Sequence, residues 1–269
     1  FIPFSVAMFP HLFQHWLTAK SARSFKLPVA AHPLLMMVVW VPCVLIGVWA
    51  TSAVIDGVAM LPQQANPPIL PNSVLPRMVA ALDMPILGGL ITAGVLAAIM
   101  SSLDSQFLCL GSIFTNDILA HYLRGDRLND RQRVLCGRAF VVAIVAVTYA
   151  LALLVPGRSV FVLGVWCFTG FASLSPLVFA AIYWRRATKV GAYACVLVAA
   201  AVGFWLFAES NFGADRDYVF TIPGTDWSVM PVAVNILLAA AALICVSLVT
   251  RPPSGETIEK FFGKGAHAA

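Results

Sequence analysis

The stretch MPILGGLITAGVLAAIMSSLDSQ, residues 84–106, is uncharged up to Asp104, yet it crowds Ser101, Ser102, Asp104, Ser105 and Gln106 into its last six positions. Twenty helical residues rise about 30 Å, the thickness of a bilayer's hydrocarbon core, so the uncharged part spells a membrane-crossing helix. Pro85 suits the first helical position, where its missing N–H costs nothing. No proline follows as far as Tyr122, and Asp104 is the only charge before Asp117. Such a helix overshoots one bilayer; it must tilt, or project into water with Asp117, His121 and Arg124 at its wet end.

The rest of the chain agrees. Of 269 residues, 60% are apolar and 11% charged, against about 45–50% and about 25% in soluble domains. That excludes a soluble domain, and collagen, disorder and a disulfide scaffold fall with it. Uncharged runs lie at residues 27–55, 84–103, 139–157, 159–184, 190–208 and 227–250. We read an all-α polytopic membrane protein with about six transmembrane helices, at about residues 33–55, 85–112, 139–156, 159–184, 190–208 and 231–250. These form a single transmembrane domain over residues 1–250, followed by a cytoplasmic tail at 251–269. The apolar opening, residues 1–18, carries Pro3, Pro10, His11 and His15 and no initiator Met, and is expected to be a truncated helix. A signal peptide is disfavoured, because Lys20, Arg23 and Lys26 follow the apolar stretch instead of preceding it.

Charge sets an expected orientation. With Lys20, Arg23 and Lys26 cytoplasmic, alternation places 124–138, 185–189 and the tail on the same side, and of 17 basic residues only Arg77, Arg158 and Arg216 face outward. The net charge of +5 is therefore a topology signal and not a nucleic-acid footprint. The expected location is the plasma (inner) membrane, with the lipid bilayer as a partner. Cys43, Cys109, Cys136, Cys167, Cys195 and Cys245 are scattered without a C-x-x-C and read as small buried residues. No histidine pair has H-E-x-x-H spacing. The outer loop at 56–84 is proline-rich and holds either a short helix near Val74 or a plain connector. The loop at 209–230 offers no motif, and the tail reads as a frayed end.

Polar groups inside lipid are expensive, so the cluster at 101–106 is a functional candidate. At about 100° per residue, Ala98, Ser101, Ser102 and Ser105 share one face, which Cys109 and Ser112 continue, while Asp104 points away from it. Hydroxyl and carbonyl oxygens suit a hard cation such as Na⁺. The same stripe also suits close helix packing with hydrogen bonds across a bundle.

The segment AAIMSSLDSQFL, followed by SIFTNDI, closely resembles the ion-site helix of the sodium:solute symporter family. Two further matches stand in the right order: PHLFQHW with Lys20-Ser21 upstream, and Leu174-Ser175-Pro176 with YWRRATKVGA (183–192) downstream. The resemblance covers nearly the whole chain but only the second half of the family's LeuT-like inverted-repeat fold. It implies a sodium site built from the Ser101 and Ser102 hydroxyls and the Ala98 carbonyl. The remaining ligands would come from a broken first core helix, in a missing N-terminal half of the same carrier. Ser105 and Asp104 match positions near a possible second cation site or release path. Pro10 and His11 match a helix lining the substrate cavity; Trp166 and Thr169 lie on the tenth core helix near Gly164, Gly170 and Pro176, and ordinary packing fits both equally well.

The resemblance implies sodium-coupled symport of a small organic solute by alternating access, with no cofactor beyond Na⁺ as coupling ion. No enzyme is expected, since Ser101 and Asp104 lack a nearby buried histidine. The alternative from another class is a symporter-like sensory module of a larger signalling protein, disfavoured by a tail too short for a kinase.

Overall fold

The computed structural model describes residues 1–55, 58–59, 71–122, 129–154 and 159–263. Its helices are α1 (Ile2–Met8), α2 (Pro10–Leu17), α3 (Lys26–Ser52), α4 (Val74–Ala80), α5 (Pro85–Ile113), α6 (Ala120–Tyr122), α7 (Asp130–Leu154), α8 (Val160–Ala172), α9 (Ser175–Tyr183), α10 (Lys189–Glu209), α11 (Pro231–Val249) and α12 (Gly255–Phe262). Two short antiparallel ribbons pair β1 (Val54–Ile55) with β2 (Val58–Ala59), and β3 (Phe220–Thr221) with β4 (Ser228–Val229). Among the described residues, six stretches are long and apolar enough to cross a membrane: Ala22–Ser52, Pro85–Tyr122, Asp130–Leu154, Val160–Tyr183, Lys189–Glu209 and Pro231–Val249. The chain is an all-α polytopic membrane protein. The prolines between residues 60 and 70, Arg124, Arg158, residues 155–156 of the expected third span and residues 264–269 of the tail lie outside the described residues.

The chain divides into two compact units, Gln14–Gly157 and Phe1–Phe13 with Arg158–Ala269. In the first, α3 begins at Lys26 because Pro28 falls within the opening turn, where its N–H would have no partner. Of the two readings of the loop before α5, the structure shows a short helix, α4. At its far end α5 continues through a wider π turn, Phe114–Leu119, into α6. Such turns mark functional or strained places in helices. Here Thr115 Oγ1 donates to the Gly111 carbonyl at 2.7 Å, and Phe114 stacks on Phe140 of α7 with centroids 4.0 Å apart. Helix α7 opens on half of a capping box, the Asn129 N–H donating to Gln132 Oε1 at 3.0 Å.

In the second unit, α1 and the residue after it lie along α8 and α9: Phe9 sits 5.6 Å from Phe168 and 4.6 Å from Phe171, and Phe4 5.9 Å from Phe179. The fourth span is two helices, broken at Ser173 and Leu174 just before Pro176. Proline removes a backbone donor and crowds the preceding turn; Ser173 Oγ donates to the Thr169 carbonyl at 2.8 Å inside the break. Gly191, Cys195, Ala199 and Gly203 recur every four residues on α10, opposite Ser247, Leu243, Ala239 and Asn235 on α11. Small residues at that interval let two helices approach closely. Ala180, Cys195, Ala199, Ala239 and Leu243 form the core of this unit.

One expectation is corrected. The tail does not fray at its start, because Ser254 Oγ accepts from the Thr257 N–H at 3.3 Å and caps α12. Ile258, Phe261 and Phe262 give this helix an apolar side, and the Arg185 guanidinium lies 5.8 Å from the Phe262 ring.

Candidate functional site

Ala98, Ser101, Ser102 and Asp104 all lie on α5, and all four are exposed within the chain. The two serines differ from the threonines on the same helical stretch. Thr92 Oγ1 donates to the Gly88 carbonyl at 2.8 Å and Thr115 to Gly111 at 2.7 Å, turning their hydroxyls back onto the backbone. Neither the Ser101 nor the Ser102 hydroxyl has a hydrogen-bond partner among the described residues. Their oxygens remain available on an apolar helix, where an unmet hydroxyl is costly.

Ser105, one turn further along this face, is half-buried, and its Oγ lies 3.3 Å from His15 Nε2 of α2. His15 was not singled out from sequence as a site residue. The signal was present in its spacing four residues after His11, which puts both rings on one side of a helix. Asp104 faces a groove of about 1130 Å³ between α5 and α7, with Ser112, Thr115, Asn116, Asp130, Arg133 and Arg138 among its lining residues. This groove carries both signs of charge, and of its charged residues sequence reading had picked out only Asp104 as a site candidate.

The remaining candidates lie in the other unit or at its edge. Pro10 and His11 are half-buried at the start of α2, directly after Phe9, which rests on Phe168 and Phe171 of α8. Thr169 on α8 is only 4% exposed, and its hydroxyl donates to the Val165 carbonyl at 2.9 Å. Trp166, one turn before it, is half-buried, with Phe207 edge-on at 5.3 Å and Tyr218 at 6.1 Å. Trp166 and Thr169 both line a cavity of about 110 Å³ whose other residues include Asp215, Arg216 and Tyr218. The structure therefore groups Trp166 with Thr169, and Ala98 with the serine pair.

Six apolar spans, one bearing unpaired hydroxyls and another broken in mid-course beside a polar cavity, define a multi-pass membrane protein. Comparison with known proteins places it further: residues 2–199 match the sodium:solute symporter family, and the chain belongs to that family. It is 30% identical over 179 residues to the osmoregulated proline transporter OpuE of Bacillus subtilis (strain 168), covering 66% of this chain and 33% of that protein. It is 32% identical over 199 residues to the sodium/proline symporter of Staphylococcus aureus, covering 72% of this chain and 37% of that one. The chain thus spans little more than a third of the length of these relatives at most. Family and relatives are transporters and not enzymes.

Proposed function

We propose that this chain is the C-terminal part of a sodium-coupled symporter that moves a small organic solute by alternating access. The observation that carries the reading is the pair of unbonded hydroxyls, Ser101 and Ser102, on the membrane-spanning face of α5. With the Ala98 carbonyl one turn earlier they supply three neutral oxygens, the donor type a hard monovalent cation prefers. Asp104 at the polar groove and Ser105 beside His15 serve a second cation or the release path. Pro10, His11, Trp166 and Thr169 face the solute. The relatives are carriers of proline, and a compact amino acid is the solute this reading favours. Residues 1–250 act as one transporter domain in the plasma membrane, with the tail from residue 251 in the cytoplasm, a reading that the distribution of basic residues supports.

Energetically, a tenfold sodium gradient supplies about 1.4 kcal/mol and 100 mV about 2.3 kcal/mol per charge. Together they allow several-hundred-fold accumulation at one-to-one coupling. The test is uptake of radiolabelled L-proline, titrated with Na⁺, in cells producing the protein as its gene encodes it. Ser102→Ala should raise the Na⁺ half-saturation by about tenfold or more, while solute half-saturation at high Na⁺ changes little. An unchanged Na⁺ titration would remove Ser102 from the site.

A further inference from the structure

On leaving α10 the chain turns through three consecutive left-handed residues, Asn211 (φ 52), Phe212 (φ 54) and Gly213 (φ 74). For the two that carry side chains this backbone costs about 1 kcal/mol or more each. The surroundings hold it in place. Ser210 Oγ donates to the Phe207 carbonyl at 2.7 Å and accepts from the Gly213 N–H at 3.0 Å, while the Asp215 N–H donates to the Ser210 carbonyl at 3.1 Å. Phe212 is edge-on to Phe207 at 5.6 Å, and Phe207 in turn abuts Trp166. The strained turn folds the following residues over the end of α8, so that Asp215, Arg216 and Tyr218 close the cavity that Trp166 and Thr169 begin.

That cavity brings together four kinds of surface. The Trp166 and Tyr218 rings, tilted 36° to each other, offer π faces that attract an ammonium group. Asp215 adds a carboxylate of the sign an ammonium requires. Burial, with the charges of Glu209 and Asp215, pushes the Tyr218 phenol above its ordinary range, which keeps it a neutral donor. Arg216, exposed at the rim, offers the planar fork that binds a carboxylate. Met230, at the N-cap of α11, and Pro231 and Val232 of its first turn complete the wall. A purely cationic solute would meet Arg216 as a repulsive neighbour, and a purely anionic one would meet Asp215.

We propose that this cavity is a capture site for a small zwitterionic amino acid, whose ammonium lies against Trp166, Tyr218 and Asp215 and whose carboxylate lies against Arg216. The proposal rests on the reading of Trp166 and Thr169 as solute-facing residues and extends it to a loop in which the sequence showed no motif. Occupancy of this site needs no Na⁺, because none of its residues belongs to α5.

The experiment is saturation-transfer NMR on the purified protein, produced as its gene encodes it, in lipid nanodiscs, in potassium medium without Na⁺, with L-proline as probe. Pyrrolidine and cyclopentanecarboxylate carry its two charges separately. Saturable L-proline binding is expected, with each half-molecule about tenfold weaker or more, the worth of one charged contact. Arg216→Gln should weaken L-proline about tenfold and leave pyrrolidine no weaker, or tighter; Asp215→Asn should weaken L-proline and leave cyclopentanecarboxylate no weaker, or tighter. Trp166→Phe should retain much of the binding that Trp166→Ala loses, with circular dichroism confirming that both variants fold. Absence of saturable binding, binding only when Na⁺ is present, or indifference to both charge substitutions would overturn the proposal. None of these results bears on the Na⁺ titration of the Ser102 variant, so the two readings fail separately.

Discussion

Helices α5 and α10 are nearly equal in hydropathy, 2.0 and 2.1 over their most apolar windows, and both are rich in small residues. Yet 22% of that window is buried within the chain for α10 and none of it for α5. On α10 the small residues recur every four positions, and α11 answers them with its own stripe, so two backbones meet along a seam. On α5 Ala98, Ser101 and Ser102 are exposed within the chain, and their face is covered only further along, at Ser105 beside His15 and at the buried Cys109. A closely packed seam and an exposed face carrying free hydroxyls therefore use the same residue sizes. What separates them is whether a complementary stripe exists and whether the hydroxyls are already bonded.

The sharpest way to break this contrast is to enlarge one glycine on each helix. A Cβ at Gly191 would collide with Ser247 Oγ and come within 3.1 Å of the Leu243 carbonyl, whereas a Cβ at Gly94 meets nothing within 4 Å. Gly191→Val should cost about 2–3 kcal/mol, the range of an overpacked core. Gly94→Val should change stability by less than about 0.5 kcal/mol, as away from packed features. Denaturant unfolding of the chain in mixed micelles reads both. Equal losses would mean that α5 is covered as closely as α10.

How far the sequence led can be judged from the same two helices. The lipid-spanning runs were legible, because length and absence of charge suffice for them, and the serine pair was legible because polar side chains stand out in such a run. The break in the fourth span was readable from Pro176. The cavity at Trp166 was legible only by half: Trp166 and Thr169 came from the resemblance to the family's tenth core helix, but Asp215, Arg216 and Tyr218 reach it through a left-handed turn that no periodicity encodes. The groove beside Asp104 was hidden for a related reason. Its other charges, Asp130, Arg133 and Arg138, come from α7, and pairing between helices leaves no trace in either one alone. The cap on α12 was readable in Ser254 and Thr257, and was passed over because a charged tail after a last span suggests fraying.

A smaller effect probes the end of the α10 seam. Thr188 Oγ1 accepts from the Gly191 N–H at 3.1 Å and lies 2.8 Å from Thr250 Oγ1, tying the first turn of α10 to the residue just beyond α11. Thr188→Ala should cost about 1 kcal/mol, as for a lost N-cap, and Thr188→Ser should restore most of it. Thr92→Ala on α5 removes a hydroxyl that reaches only its own helix, so a change of a few tenths of a kcal/mol is expected. If the two alanine variants unfold alike, the hydroxyls joining α10 to α11 add nothing to the seam.

The smallest expected effect concerns Asn235, and its sign is the informative part. It is fully buried on α11, its amide nitrogen lying 3.0 Å from the place a Cβ on Gly203 would occupy, and neither amide atom has a hydrogen-bond partner among the described residues. If small-residue contact alone holds the seam, this amide is a cost, because an unmet buried polar group forfeits its hydration without return. Asn235→Leu, similar in reach and wholly apolar, should then leave stability unchanged or raise it by up to about 1 kcal/mol. A loss of that size would show the amide to be bonded inside the bilayer. The α10–α11 pair would then share with α5 the use of polar groups at membrane depth, and the difference between the two regions would lie in what meets the polar group and not in whether one is used.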